Sequence, residues 1–382
     1  MSHFVVFVAP FFSENAIQTI RGFTALAGIR LGLISQEPLA KLPHDVAHRV
    51  SAHWQVKNSL DAEQIRWGAE ELAKQNGRLH RLLGAMEQIQ VQLAEVREAL
   101  GIEGMSVQTA LNFRDKARMK QVLREAGLPC AKYRRVLQPE DAKQFVSEVG
   151  YPAVLKPLAG AGSQATYRIA NEADLEAALT AVSPSISNEA VIEEFIVGEE
   201  HSFEVMSLNG QRLWHSLTRY EPTPLDAMRN PWIQWCAVLP QEARAPQFDD
   251  VRDIGFAALD ALGMETGLSH MEWFRREDGS VAISEVAARP PGAQITTLIN
   301  RANNIDILTA WANLMVHGEF EPPVQRFASG VAFLRGQAQG WVKQVRGLQA
   351  ADDEIGHLVV DVTLPQVGQP TSISYEGEGF VV

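Results

Sequence analysis

Two glutamates are set by the sequence to meet. Over residues 267–274 Leu268, His270, Glu272 and Phe274 fall on one face of an alternating run, and 281–286 alternates again after Asp278-Gly279. Asp-Gly between alternating runs predicts a β-hairpin. With Asp278-Gly279 as a two-residue turn, pairing runs outward from Glu277 with Ser280, through Phe274 with Ile283, to Glu272 with Glu285. Directly opposed cross-strand residues hold their Cβ atoms about 4.5–5.5 Å apart, and like charges there repel. A divalent cation would offset that repulsion, since Mg²⁺ takes carboxylate oxygens and bridges them to substrate phosphates. The alternatives are a solvated pair at a hairpin edge or a register shifted by a bulge. Apolar neighbours Phe274, Ile283 and Leu268 favour partial burial, where an unneutralised pair costs more.

Cations stand elsewhere along the chain. Lys116 sits in a stretch of helical spacing over 112–126, through Phe113, Ala117, Val122 and Leu123, which Gly127 and Pro129 then stop. Lys156 sits in an apolar strand between Pro152 and Pro157, an expensive place for an unpaired charge. A lone lysine is ordinarily solvated, but two ammonium groups drawn from different elements can converge on a polyphosphate. Arg289 precedes Pro290-Pro-Gly292, a sequence that can start a helix and leave its N-terminus open to anions. An isolated arginine would read as one half of a structural salt bridge at the surface, and Pro290-Pro-Gly292 after it weakens that reading.

The elements that must position these residues follow from periodicity. Two apolar runs, 4–9 and 29–34, flank a helical segment at 15–27, and helices follow at 62–75 and 85–100, so residues 1–108 read as an open α/β layer on a parallel sheet. Its first strand is followed by no G-x-G-x-x-G, which argues against a dinucleotide site. Strands at 153–156, 190–195, 202–207 and 212–217 around a helix at 172–181 give an α+β unit over 109–320. The amphipathic stretch 305–316 reads as core packing. Glu321-Pro-Pro-Val324 opens a short β-rich segment to 382.

Composition narrows the class. The chain has 382 residues, enough for two or three domains, with 46% hydrophobic and 21% charged residues, as in ordinary globular proteins. A formal net charge of −12 and the lack of a Lys/Arg cluster leave no footprint for a nucleic-acid backbone. Cys130 and Cys236 have no metal-ligand spacing and read as buried thiols. The apolar start lacks a basic flank and is broken by Pro10, and no run reaches membrane-spanning length, so a cytoplasmic protein is expected.

Six segments in order resemble the ATP-grasp superfamily, in particular its L-amino acid ligase and related carboxylate-amine ligase branch, over about residues 109–320. They are Asp115-Lys-Ala-Arg-Met-Lys120, Tyr151-Pro-Ala-Val-Leu-Lys-Pro157, Ala159-Gly-Ala-Gly-Ser-Gln164, Val191-Ile-Glu-Glu-Phe-Ile-Val-Gly-Glu-Glu200, His270-Met-Glu-Trp-Phe274 and Ser284-Glu-Val-Ala-Ala-Arg-Pro-Pro-Gly292. The resemblance implies an ATP-grasp fold with a mobile lid at about 130–190. It also implies a ligase that activates a carboxylate as an acyl phosphate and passes it to an amine, with ATP and Mg²⁺ or Mn²⁺ as cofactors. By the same resemblance Lys116 and Lys156 grip phosphates, and Gly160, Gly162, Ser163 and Gln164 form the lid loop. Glu193, Glu194, Phe195 and Ile196 frame the adenine, with the Glu194 carbonyl and Ile196 N–H on its edge, and Glu200 accepts from the ribose. Glu272 and Glu285 hold the metal, Ala287 stands where relatives often carry a further Asn ligand, and Arg289 steadies the acyl phosphate. Substrates would be small acids and amines, amino acids above all. Tyr220, Trp232, Trp235 and His270 are candidates for their pocket. The resemblance admits a homodimer without fixing one, and leaves open a bicarbonate-using carboxylase or a silent nucleotide-binding module.

Overall fold

The structure, a computed structural model, describes residues 2–157, 166–230, 233–243, 245–336, 339–372 and 374–382. Gly160, Gly162, Ser163, Gln164 and Trp232 lie outside the described residues.

The opening sheet is parallel and has four strands, in the order Ala52–Gln55, Ile29–Ser35, His3–Val8, Leu79–Leu83. Phe4, Val5, Val6, Phe7 and Val8 are all buried, the continuous apolar run that a strand covered on both faces requires. Two of the four strands escape a reading by periodicity. Ala-His-Trp-Gln is only four residues long, and Leu-His-Arg-Leu-Leu carries two polar residues. The helix expected at 85–100 begins only at Gln90, after a short 3₁₀ turn at Glu87–Ile89. That turn holds Glu87 against the functional site.

The helix expected at 112–126 is two helices, Val107–Arg114 and Lys116–Glu125. Asp115 breaks it, with extended backbone at φ −91° and ψ 107° and a carboxylate accepting the Ala117 and Arg118 amides at 2.9 and 3.0 Å. Such an N-cap contributes about 1 kcal/mol, and it puts Lys116 first in the second helix.

A central sheet of eight strands runs in the order Val281–Ala287, Gly267–Arg275, Glu199–Leu208, Gln211–Glu221, Trp235–Leu239, Ser329–Leu334, Gly379–Val381, Val362–Thr363. Its neighbours are antiparallel throughout. The last three strands come from the C-terminal segment, which also contains the helix Leu348–Ile355. A smaller antiparallel sheet, Tyr133–Val136, Ala190–Glu194, Ala153–Pro157, Tyr167–Ile169, has its own core around Phe145, Leu155 and Leu179. Among the described residues no helix is long and apolar enough to cross a membrane.

Candidate active site

The hairpin sets Glu272 opposite Glu285, as expected, but by another route. The turn is wider than two residues: Arg276 N–H donates to the Ser280 carbonyl and Gly279 N–H to the Arg276 carbonyl, with Gly279 at φ +82°. Arg275 therefore pairs with Val281, Phe274 with Ala282 and Trp273 with Ile283, so the expected Phe274–Ile283 pair does not form. Continued unbroken, that register would set Ser284 against Glu272. A bulge between Glu272 and Trp273 in the ladder brings Glu285 there instead. It also switches faces, so that Ile283 packs with Trp273 in the core while Glu285 and Ala287 join the site. Lys120, almost completely buried, donates to the Ser284 carbonyl at 3.0 Å and so holds the bulge from behind.

The next strand over completes the face. Glu199–Leu208 pairs with Gly267–Arg275 so that Glu200 meets Phe274, Ser202 meets Glu272 and Glu204 meets His270. Glu200 and Glu204 are buried. Burial, and then the charge of Glu272, push the Glu200 carboxyl well above the usual carboxylate range. His270 Nδ1–H donates to Glu204 Oε1 at 2.8 Å, and its Nε2 lies 3.8 Å from Glu272 Oε1. Burial works to lower its pKa, but the two carboxylates prevail and raise it to about 9, so an imidazolium bridges the strands at neutral pH.

Positive charge reaches this face from two other elements. Lys116 donates to Glu285 Oε1 at 2.6 Å, and Lys156 lies 2.8 Å from Glu193 Oε2. Burial alone would raise the Glu285 carboxyl, yet the ammonium groups of Lys116 and Lys156 hold it down at about 2. Glu193 Oε1 is buried without a hydrogen-bond partner among the described residues, 3.5 Å from Lys120. Both lysines expected to grip phosphates thus stand on carboxylates, and Lys120 and Glu193 form a charged floor beneath them that sequence spacing did not expose.

One cleft is lined by Lys116, Lys156, Glu193, Glu194, Phe195, Ile196, and also by Glu200, Glu272, Glu285 and Arg289. Every residue predicted for the phosphate, adenine, ribose, metal and acyl-phosphate roles within the described part of the chain therefore lines one cleft. On the hinge side, the Glu194 side chain is held by Arg276 at 2.8 Å, and the Arg168 guanidinium sits 4.3 Å over the Phe195 ring. The Ile196 N–H makes no backbone hydrogen bond among the described residues. Ile196, Ala131 and Ala282, with Phe274 against them, supply an apolar wall, as an adenine slot needs.

Arg289 is held by Glu87, with Nη2 and Nε at 3.0 and 3.3 Å from Glu87 Oε2. Arg114 reaches the other oxygen of Glu87 at 3.2 Å. Glu87 and Tyr375, which also line the cleft, come from opposite ends of the chain, and no motif or spacing marks them. Tyr220, Trp235 and His270 line a second cavity that opens beside the first.

The donors present suit a metal-bound polyphosphate. Two opposed carboxylates offer hard oxygens, Glu200 is pushed toward its neutral form beside Glu272, and two ammonium groups face the same cleft. Among the described residues no three His, Cys, Asp or Glu side chains cluster as a metal cage. An ion here would rest on Glu272 and Glu285 with water and phosphate oxygens, which is how Mg²⁺ is commonly held.

Residues 121–302 match the family model of the ATP-grasp domain. Among curated relatives, it is 27% identical over 228 residues to an L-arginine-specific L-amino acid ligase of Bacillus subtilis, covering 58% of this chain and 54% of that protein. It is 23% identical over 316 residues to the alanine–anticapsin ligase of Bacillus subtilis strain 168, covering 76% and 65%. The chain thus spans less than two thirds of either relative's length. The solved structure of an L-amino acid ligase from Bacillus licheniformis superposes with a TM-score of 0.76 at 18% identity, covering 100% of this chain and 92% of that one. N5-carboxyaminoimidazole synthetase from Staphylococcus aureus, complexed with ADP, gives 0.72 at 15% identity, covering 100% and 93%. The fold is the ATP-grasp fold.

Proposed function

We propose that this protein is an ATP-dependent carboxylate-amine ligase that joins small acids to amines, amino acids above all, through an acyl phosphate, releasing ADP and phosphate. The observation that carries the reading is the convergence of Lys116, Lys156, Glu272, Glu285 and Arg289 on one cleft, with the two glutamates in register across the ladder. The names of the curated relatives support the reaction class.

Lys116 and Lys156 neutralise the phosphate chain and hold it in line with the incoming carboxylate. Phosphoryl transfer asks the protein for positioning and charge rather than covalent chemistry. Glu272 and Glu285 would hold Mg²⁺ or Mn²⁺, whose contribution when bound is neutralisation of phosphate oxygens. The carboxylate oxygen attacks the γ-phosphorus and ADP leaves; the amine then attacks the acyl carbon and phosphate leaves. Arg289, oriented by Glu87, donates to the oxyanion that develops there, a role typically worth about 10²–10³ in rate. The described residues within about 130–190 act as the lid that keeps water from the acyl phosphate. We take 1–108, 109–320 and 321–382 as the functional units, and the cytoplasm as the site of action.

Phosphate release is measured across a panel of amino acids, singly and in pairs, with hydroxylamine present to trap the acyl phosphate as a hydroxamate. Pair-dependent release with hydroxamate formation is the expected result. Bicarbonate-dependent ADP release without an amino acid would replace the reading with a carboxylase, and tight ATP binding without release would replace it with a silent nucleotide-binding module.

A further inference from the structure

The second cavity encloses about 310 Å³, at the low end of the roughly 300–1,000 Å³ typical of small-molecule pockets. It shares Glu87, Pro224, His270, Glu272, Arg289 and Tyr375 with the nucleotide cleft, so whatever it holds presents one end to the reacting groups. Beyond that junction its walls are Phe7, Val8, Ala16, Trp235, Ile295 and Leu308, none more than 9% exposed. The polar side chains there, Ser13, Asn15, Thr19, Gln88 and Thr296, are all neutral, with Ser13 and Asn15 at an exposed rim.

Charge is confined to the mouth. Among the described residues lining the chamber, the ionisable acids and bases other than tyrosine are Glu87, Glu272, His270 and Arg289, all four at the junction. Glu87 is taken up by Arg114 and Arg289, and His270 lies between Glu204 and Glu272. A charged side chain carried into the interior would leave water and meet no counter-charge, which is strongly unfavourable. An apolar one would meet buried aliphatic and aromatic walls already in place.

We infer that the acid activated by this enzyme has an uncharged, apolar body, branched aliphatic or aromatic, seated in this chamber with its carboxylate at the Arg289 end. The inference rests on the ligase reading and names its donor substrate.

Hydroxylamine as the sole amine makes hydroxamate formation report on the acid alone. Leucine, methionine and phenylalanine are expected to exceed lysine, arginine, aspartate and glutamate by at least tenfold in kcat/KM. A charged acid as the best substrate overturns the inference while leaving the ligase reading intact; no hydroxamate and no ADP with any acid overturns both. Thr296→Asp adds an anion to the half-buried chamber wall in the first turn of the helix Ile295–Asn303, where an acid is tolerated. It should shift the ratio of lysine to leucine toward lysine by about tenfold, through KM. A ratio unchanged in that variant, with leucine activity retained, removes the chamber as the seat of the acid.

Discussion

The nucleotide cleft and the chamber beside it are built on opposite plans. The cleft gathers charge: Lys116 on Glu285, Lys156 on Glu193, with Lys120 beneath and Glu200 beside Glu272. The chamber excludes charge from everything but its mouth. A site that transfers a phosphoryl group, as proposed for the cleft, has to compensate charge at fixed points, so single side chains there should matter greatly. A chamber that receives an apolar body works by volume and desolvation, so single changes there should tune selectivity.

The largest effect expected is at Glu285. Glu285→Gln should lower turnover at least about 10³-fold while far-UV circular dichroism stays native, because it removes a carboxylate proposed to hold the metal and keeps its shape. Near-normal activity in that variant would remove the metal assignment. Lys156→Met should lower kcat/KM about 10²–10³-fold with a raised KM for ATP, measured by coupled ADP release. Glu87→Gln touches no substrate in the proposed mechanism and acts through Arg289. It should cost about tenfold to a hundredfold in kcat, with the KM for ATP little changed. A KM effect alone would place Glu87 in nucleotide binding instead.

The smallest effect is on stability. The pKa of His270 rises from about 6.5 unfolded to about 9 folded, so its contribution is complete below about pH 6.5 and is lost as pH rises through 9. In protein stripped of nucleotide and metal, the melting-temperature difference between wild type and His270→Gln should narrow over that interval. A difference constant with pH would mean that the ring is not protonated in the folded state.

How much of this was legible in the residues differs by region. The Asp-Gly turn and the alternation disclosed the hairpin, and the Glu272–Glu285 pair is real, but two departures cancel in it. A wider turn shifts the register by one and the bulge shifts it back. A bulge was among the alternatives the hairpin left open, but its place is legible only in hindsight, as the conflict between Ile283, which packs in the core, and Glu285, which lines the cleft. Asp115 was legible as a cap in principle, since Asp at the head of an apolar-periodic run is a start signal. The ion pairs were not. Lys116–Glu285 spans 169 residues and Arg289–Glu87 spans 202, and no local pattern encodes partners so far apart. Tyr375 is likewise marked by nothing local, because its place depends on how the C-terminal strands join the central sheet.

The central claim is that the substrate carboxylate is phosphorylated before the amine arrives. An acid labelled with ¹⁸O in its carboxylate tests it directly by mass spectrometry of the released phosphate. The account predicts one ¹⁸O transferred to phosphate per turnover, because the oxygen that attacks the γ-phosphorus departs with it. Unlabelled phosphate accompanying amide formation would contradict it.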